Sequence, residues 1–287
     1  MRKWLAFLGS YLLVSQAWAQ PPDLFGPFGK PAPRDRQRLE RVAIDVRQER
    51  RIGDQQFQAF RSRLESQKIR LWTTGKDHRY VTQLVHAVRS LMSNKQRYPS
   101  IEVYLAVTEQ TDARAFPGGR VIVTTGMLEF VQSEAALVGV LAHELSHIDR
   151  GHQMEQLRSF LAAQQTFQSG RFSLEEMMAG TRLMMNAFAR PFRPEQETVA
   201  DEDAVRWMMQ LGYQPAEFAR LFRRMAERDQ GRAEVVPGFL RSHPLHRDRL
   251  RAVSEYAVKQ ARQTGVNLKK LHVGRDNLAG RRPFVGR

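Results

Sequence analysis

The chain contains no cysteine. Disulfides and thiolate ligands are excluded together, so the fold must rest on its own hydrophobic core and any metal must be held by nitrogen and oxygen. Acidic residues are also scarce: 30 Asp and Glu stand against 45 Lys and Arg, for a formal net charge of +15. Such a balance argues against polycationic partners and for anionic surfaces. Beyond the N-terminus no stretch reaches the roughly 18 apolar residues that a membrane-spanning helix needs. No internal repeat is evident.

What is present begins with the first twenty residues. Arg2 and Lys3, an apolar run from Trp4 to Val14, and Ala17-Trp18-Ala19 have the order of a secretory signal peptide cleaved before Gln20. The alternative is an uncleaved signal anchor. Export with no cysteine after the cleavage site excludes a lipoprotein anchor, and the expected location is the periplasm. An exported basic protein meets anionic lipid head groups before nucleic acid, so peripheral membrane association is expected and nucleic-acid binding is not.

Residues 1–19 are thus expected to be the signal, and 20–33, rich in proline and glycine, a linker. Residues 34–265 should form one domain, and 266–287 a basic, disordered tail. Within the domain, apolar positions Leu39, Val42, Val46, Phe57, Phe60 and Leu64 suggest two amphipathic helices broken near Gly53. A helix over Asp77–Ser93 and strands over Ile101–Val107 and Val121–Thr125 follow. The β-branched run at 121–125, flanked by glycines, suits either a sheet edge that pairs with an extended peptide or an ordinary buried strand. Residues 153–193, dense in Met and Phe, should make two helices about Ser169-Gly170. They suit a lid, or more commonly core.

The run His143-Glu144-Leu145-Ser146-His147 carries the most chemistry. Ser133 can cap a helix whose stripe is Leu137, Leu141, Leu145 and Ile148, with Gly151 as its stop. On that helix His143 and His147 lie one turn apart and can converge on one zinc, with Glu144 beside its open position as general base. A third protein ligand is needed. Pro191 and Pro194 can start a helix on which Glu197 and Asp201 stand four apart, so that one carboxylate can bind metal while the other orients a histidine. Their simple alternative is dipole complementation near a helix start. His152, five residues beyond His147, falls about 140° around the helix and cannot join the same metal without a helix break. It reads as structural or surface.

Together these residues resemble the gluzincin metallopeptidases. Within them the chain is similar to the CAAX-prenyl-protease/HtpX-like family, in its soluble periplasmic BepA/LoiP-like branch, without the helical repeats some members carry. Ala115-Phe116-Pro117-Gly118-Gly119 with the strand after it, Glu197-x-x-Ala200-Asp201, and His243-Pro244 with Arg249 match the family's remaining motifs in order. The first is one or two residues tighter than the family pattern. The resemblance implies an α+β, mainly α-helical, zincin-like metallopeptidase fold with a small β-sheet and one zinc per chain held by His143, His147 and Glu197. It further implies that Asp201 holds the imidazole of His143, and that substrate pairs with the strand at 121–125. For His243 it implies one of two roles: stabilising the oxyanion, or occupying the open metal position and holding the enzyme inactive. His246 is the neighbour most easily confused with it. Arg249 would hold substrate or buttress the site.

The expected activity is a zinc metalloendopeptidase acting on misfolded or misassembled cell-envelope proteins. The rival is an envelope chaperone or assembly factor with a latent zinc site.

Overall fold

The computed structural model describes residues 45–155, 191–229, 239, 243 and 248–284. The expected signal, the linker and most of the Met- and Phe-rich segment lie outside them, as does His246.

Helix α1 (Val46–Ser66) begins with a reciprocal cap: Asp45 accepts from Gln48 N–H while the Gln48 side chain accepts from Asp45 N–H. It then runs unbroken through Gly53, where two helices were expected. The reason for glycine is proximity and not flexibility: a Cβ there would lie 1.7 Å from the Pro117 carbonyl oxygen. Strand β1 (Leu71–Trp72) and helix α2 (Lys76–Arg89) follow. Helix α2 buries Tyr80, Val81, Leu84, Val85 and Val88, a single stripe at helical spacing.

Strands β2 (Glu102–Ala106), β3 (Ala113–Phe116) and β4 (Arg120–Thr124) complete a mixed sheet of order β1-β2-β4-β3. The two longer expected strands are present to within one residue at most ends. Strand β4 is not at an edge. It pairs in parallel with β2 and antiparallel with β3, and residues 121–124 are buried, as a β-branched run covered on both faces should be. The edge belongs to β3. Alternation divides β4 between two layers: Val121 and Val123 join the main core, and Ile122 joins a smaller cluster with Phe57, Leu64 and Phe116 beneath α1.

A short helix α3 (Thr125–Phe130) leads to α4 (Glu134–Asp149), capped by Ser133 Oγ at 3.2 Å from Ala136 N. Every residue of α4 is buried, so the stripe read from its sequence understates it; a helix apolar nearly all round belongs at the centre. Around it pack α2, β3, α5 (Pro194–Gln210) and α6 (Ala216–Asp229). Helices α7 (Arg249–Thr264) and α8 (Arg275–Gly280) complete the described chain.

The tail expected to be disordered is folded as far as residue 284. Its charge conceals a few well-placed apolar groups: Leu278 is in the main core, with Leu268 and Leu271 packed against it. Its backbone also has work at the start of α4, where Glu134 N–H and Ala135 N–H donate to the Gly274 and Val273 carbonyls. Those donors would otherwise lack intrahelical partners.

Candidate metal centre

Helix α4 carries His143 and His147 with their Nε2 atoms 3.1 Å apart. Helix α5, started by Pro194 at its first turn, brings Glu197 to them. Glu197 Oε2 lies 3.5 Å from His143 Nε2, and Oε1 lies 3.5 Å from His147 Nε2. A zinc ion with ligands at about 2.0–2.1 Å in tetrahedral array requires donors separated by roughly 3.4 Å. The two nitrogens at 3.1 Å, each 3.5 Å from a different oxygen of the Glu197 carboxylate, stand close to that spacing. All three side chains are fully buried, and two neutral imidazoles with one carboxylate form the donor set expected of a catalytic zinc.

Two further groups fix the ligands. Asp201, one turn after Glu197 on α5, places Oδ1 2.9 Å from His143 Nδ1. Arg249 then grips Asp201 at both oxygens, Nε to Oδ2 and Nη2 to Oδ1 at 2.8 Å each. Its Nη1 reaches Glu197 Oε2 at 2.6 Å and donates to the His243 carbonyl at 3.3 Å. The guanidinium sits 4.5 Å from the Phe222 ring centroid. Burial pushes the Asp201 carboxyl up, but Arg249 and His143 outweigh it and hold it below the usual range.

Glu144 is next to the cluster and equally buried. Its Oε2 accepts from the Ala115 N–H at 2.8 Å, and its Oε1 lies 3.0 Å from His243 Nε2. Burial raises this carboxyl, while His243, then His143 and His147, lower it further than burial raises it. Phe239 N–H donates to Thr111 O at 3.2 Å, and His243 N–H donates to Phe239 O at 3.0 Å. Its ring stacks between Phe239 and Phe192. Its Nδ1 lies 2.9 Å from Glu197 Oε1 and 3.1 Å from His143 Nε2. One donor atom each from His143, His147, Glu197 and His243 therefore falls within 4.8 Å of the others. Burial pulls His243 down, but Glu144 and Glu197 raise it to about 9.

All seven side chains singled out in the sequence thus converge on one place. Four participants were not legible there. Ala115 lies in the stretch at 115–119, but the role of its amide is not readable from it, and the Phe192 and Phe239 rings carry no motif of their own. His152, read as structural or surface, is buried against His147, with the two Nδ1 atoms 2.9 Å apart. Helix α4 does break before it, at Gly151 with φ +66°. The turn carries His152 to the far side of His147 and not into the donor triangle.

A comparison with protein families matches residues 76–257 to peptidase family M48. Among characterised proteins, the chain is 29% identical over 174 residues to the "Beta-barrel assembly-enhancing protease" of Yersinia pestis, covering 55% of this chain and 34% of that one. Its counterpart in Escherichia coli K12 is 28% identical over 163 residues, 51% of this chain and 32% of its own. The "Mitochondrial metalloendopeptidase OMA1" of Schizosaccharomyces pombe is 30% identical over 165 residues, covering 54% and 46%. The chain therefore spans about a third of the first two relatives and less than half of the third.

Proposed function

The chain belongs to peptidase family M48, and on that footing we propose that it is an exported zinc-dependent endopeptidase acting on misfolded or misassembled cell-envelope proteins. The observation that carries the reading is the buried triangle of His143, His147 and Glu197 with Glu144 beside it. The substrate class is supported by the relatives named for β-barrel assembly and by the signal-like first twenty residues.

In this reading His143, His147 and Glu197 hold zinc, with Asp201 keeping the proton of His143 on Nδ1. When bound, zinc lowers the pKa of a water molecule and polarises the scissile carbonyl. Glu144 takes the proton of that water at a carboxylate oxygen and returns it to the leaving amine. Strand β3 takes the role expected of residues 121–125. It is the sheet edge against α4, and the Ala115 N–H and C=O point away from β4. They are met there by Glu144 Oε2 and by Gln153 Nε2, the latter at 3.3 Å. An extended substrate paired to β3 would use these two groups, which reads peptide backbone and not side-chain identity. His243, 3.0 Å from Glu144 and 2.9 Å from Glu197, would silence the site if it served as a further metal ligand and would assist the reaction if it donated to the carbonyl oxygen.

A second reading, an envelope chaperone or assembly factor with a latent zinc site, is favoured by one observation, the presence of His243 Nδ1 within the donor set. Metal analysis and a substrate assay separate the possibilities. The purified protein should hold one zinc per chain, lost in His143→Ala and in Glu197→Ala. Glu144→Gln should keep zinc and lose about 10²–10⁴-fold in cleavage of an unfolded protein. Unchanged metal content in both ligand variants would overturn the site. Cleavage by Glu144→Gln at the wild-type rate would remove Glu144 as base.

A further inference from the structure

We propose that His152 is a positioning residue for His147, accepting a hydrogen bond that fixes the tautomer and ring angle in which His147 presents Nε2 to the metal; this rests on the zinc reading above. His147 turns Nε2 toward His143 and Glu197, which leaves Nδ1 pointing out of the donor triangle. A ligating imidazole is neutral and carries its proton on the other nitrogen, so Nδ1–H needs an acceptor. The atom there is His152 Nδ1, at 2.9 Å, and both rings are buried. Two ring nitrogens at that distance share one proton. His147 Nδ1–H donates, His152 Nδ1 accepts, and the proton of His152 sits on its Nε2.

The backbone is shaped to make this contact. Gly151 has φ +66° with open space where a Cβ would stand, so its backbone conformation and not crowding calls for glycine. The reversal there turns His152 back under the helix end. Phe192 covers the same ligand from another side, stacked on His147 at 3.8 Å and 22°. The two histidine ligands are therefore supported differently: His143 by a carboxylate held by Arg249, His147 by a neutral ring.

The full-length protein is tested as His152→Phe, which fills the space without an acceptor, and His152→Gln, which restores one. Zinc affinity is measured by competition with a chromophoric chelator, and the visible bands are recorded after cobalt substitution. His152→Phe should bind zinc about 10–100-fold more weakly, and His152→Gln close to wild type, with the metal-free forms melting together. Equal zinc affinity for wild type and His152→Phe would overturn the proposal. If the Phe variant is itself unfolded without metal, the cobalt bands of His152→Gln decide, since an amide acceptor changes the donor strength of His147. Bands identical to wild type would then overturn it. Absence of zinc from the wild-type protein would instead defeat the metal reading.

Discussion

Arg249 does most at the scale of single residues. Two buried carboxylates four apart on α5 would each be driven toward protonation by burial, and a protonated Glu197 is a poor ligand. One guanidinium spans both, at 2.8 Å and 2.6 Å, and also holds the His243 carbonyl. It therefore links Glu197 and Asp201 to the backbone of His243. The two roles open to that histidine give variants of opposite sign. If its ring fills the fourth position, His243→Ala keeps zinc and cleaves faster, its own chain included. If it donates to the carbonyl oxygen, His243→Ala keeps zinc and loses about 10²–10³-fold. Initial rates on one unfolded substrate read the sign, and an unchanged rate rejects both roles.

The meeting of His143 and His147 beside Glu144 was legible because their relation is local: positions four apart on one helix must face the same way. Arg249 entered only through the family resemblance, since arginines are abundant in this chain, and the relation of His152 to His147 was hidden because it depends on a left-handed glycine between them. The Ala115 amide could not be found from letters at all. A backbone group acquires a role only when the sheet order makes its strand the edge.

At the scale of elements, sheet order decides where substrate can lie. The β-branched run at 121–125 is indeed in a strand, over Arg120–Thr124, but the same composition that makes a strand makes a central one. Strand β3, with two alanines and an arginine, has weak strand propensity and holds the useful position. Its Ala115 carbonyl is occupied by Gln153, so a substrate paired to β3 as proposed would have to displace that side chain. Gln153→Ala should lower KM about two- to tenfold with kcat unchanged, since one neutral hydrogen bond contributes about 0.5–1.5 kcal/mol. An unchanged or raised KM rejects β3 as the pairing edge at that residue.

The junction of α4 with α5 offers a test by pH. Asp203 on α5 accepts from Ser146 Oγ at 2.8 Å and from Arg150 at 2.7 and 2.8 Å. Burial pushes its carboxyl up, but Arg150 and Ser146 bring it below the usual range. A carboxyl depressed in the fold contributes stability that is fully present above its unfolded value of about 3.9 and is lost as pH falls through the folded one. Asp203→Asn should cost about 1–3 kcal/mol at neutral pH, and the gap from wild type should close below about pH 4. Melting curves across that range check it; a gap that stays constant would show that the charge of Asp203 contributes nothing.

At the scale of the whole molecule, the C-terminal tail and the surface charge follow different rules. Composition alone made the tail look solvated, yet it is held by two carbonyls that accept from the start of α4, by Leu278 in the core and by backbone bonds between His272 and residues 212 and 214. Charge composition, by contrast, speaks to partners and not to fold. Among the described residues no helix is long and apolar enough to cross a membrane, and the net positive charge makes peripheral attachment the expectation to test. One surface suits it: Trp72, 41% exposed, lines a groove with Arg61, Lys68 and Arg70, and the Arg70 guanidinium lies 5.9 Å from its ring. Glu65 also lines the groove and pairs with Arg61 at 2.8 Å, which leaves Lys68 and Arg70 as the cations beside an exposed indole, a combination suited to an anionic lipid interface.

Of the four tryptophans, Trp4 and Trp18 would leave with a signal cleaved before Gln20, and Trp207 is buried. Mass spectrometry of envelope-extracted protein should therefore find a chain beginning at Gln20, and its exposed fluorescence should come from Trp72 alone. Vesicles containing phosphatidylglycerol should then shift the emission to shorter wavelength at low salt, with the shift reversed by high salt, since surface attraction is screened. Pure phosphatidylcholine vesicles should leave it unchanged, and Trp72→Ala should remove the signal and weaken sedimentation with anionic vesicles. A shift equal on both lipids would point to apolar contact without charge. No shift with sedimentation intact would place the membrane-facing surface elsewhere on the molecule.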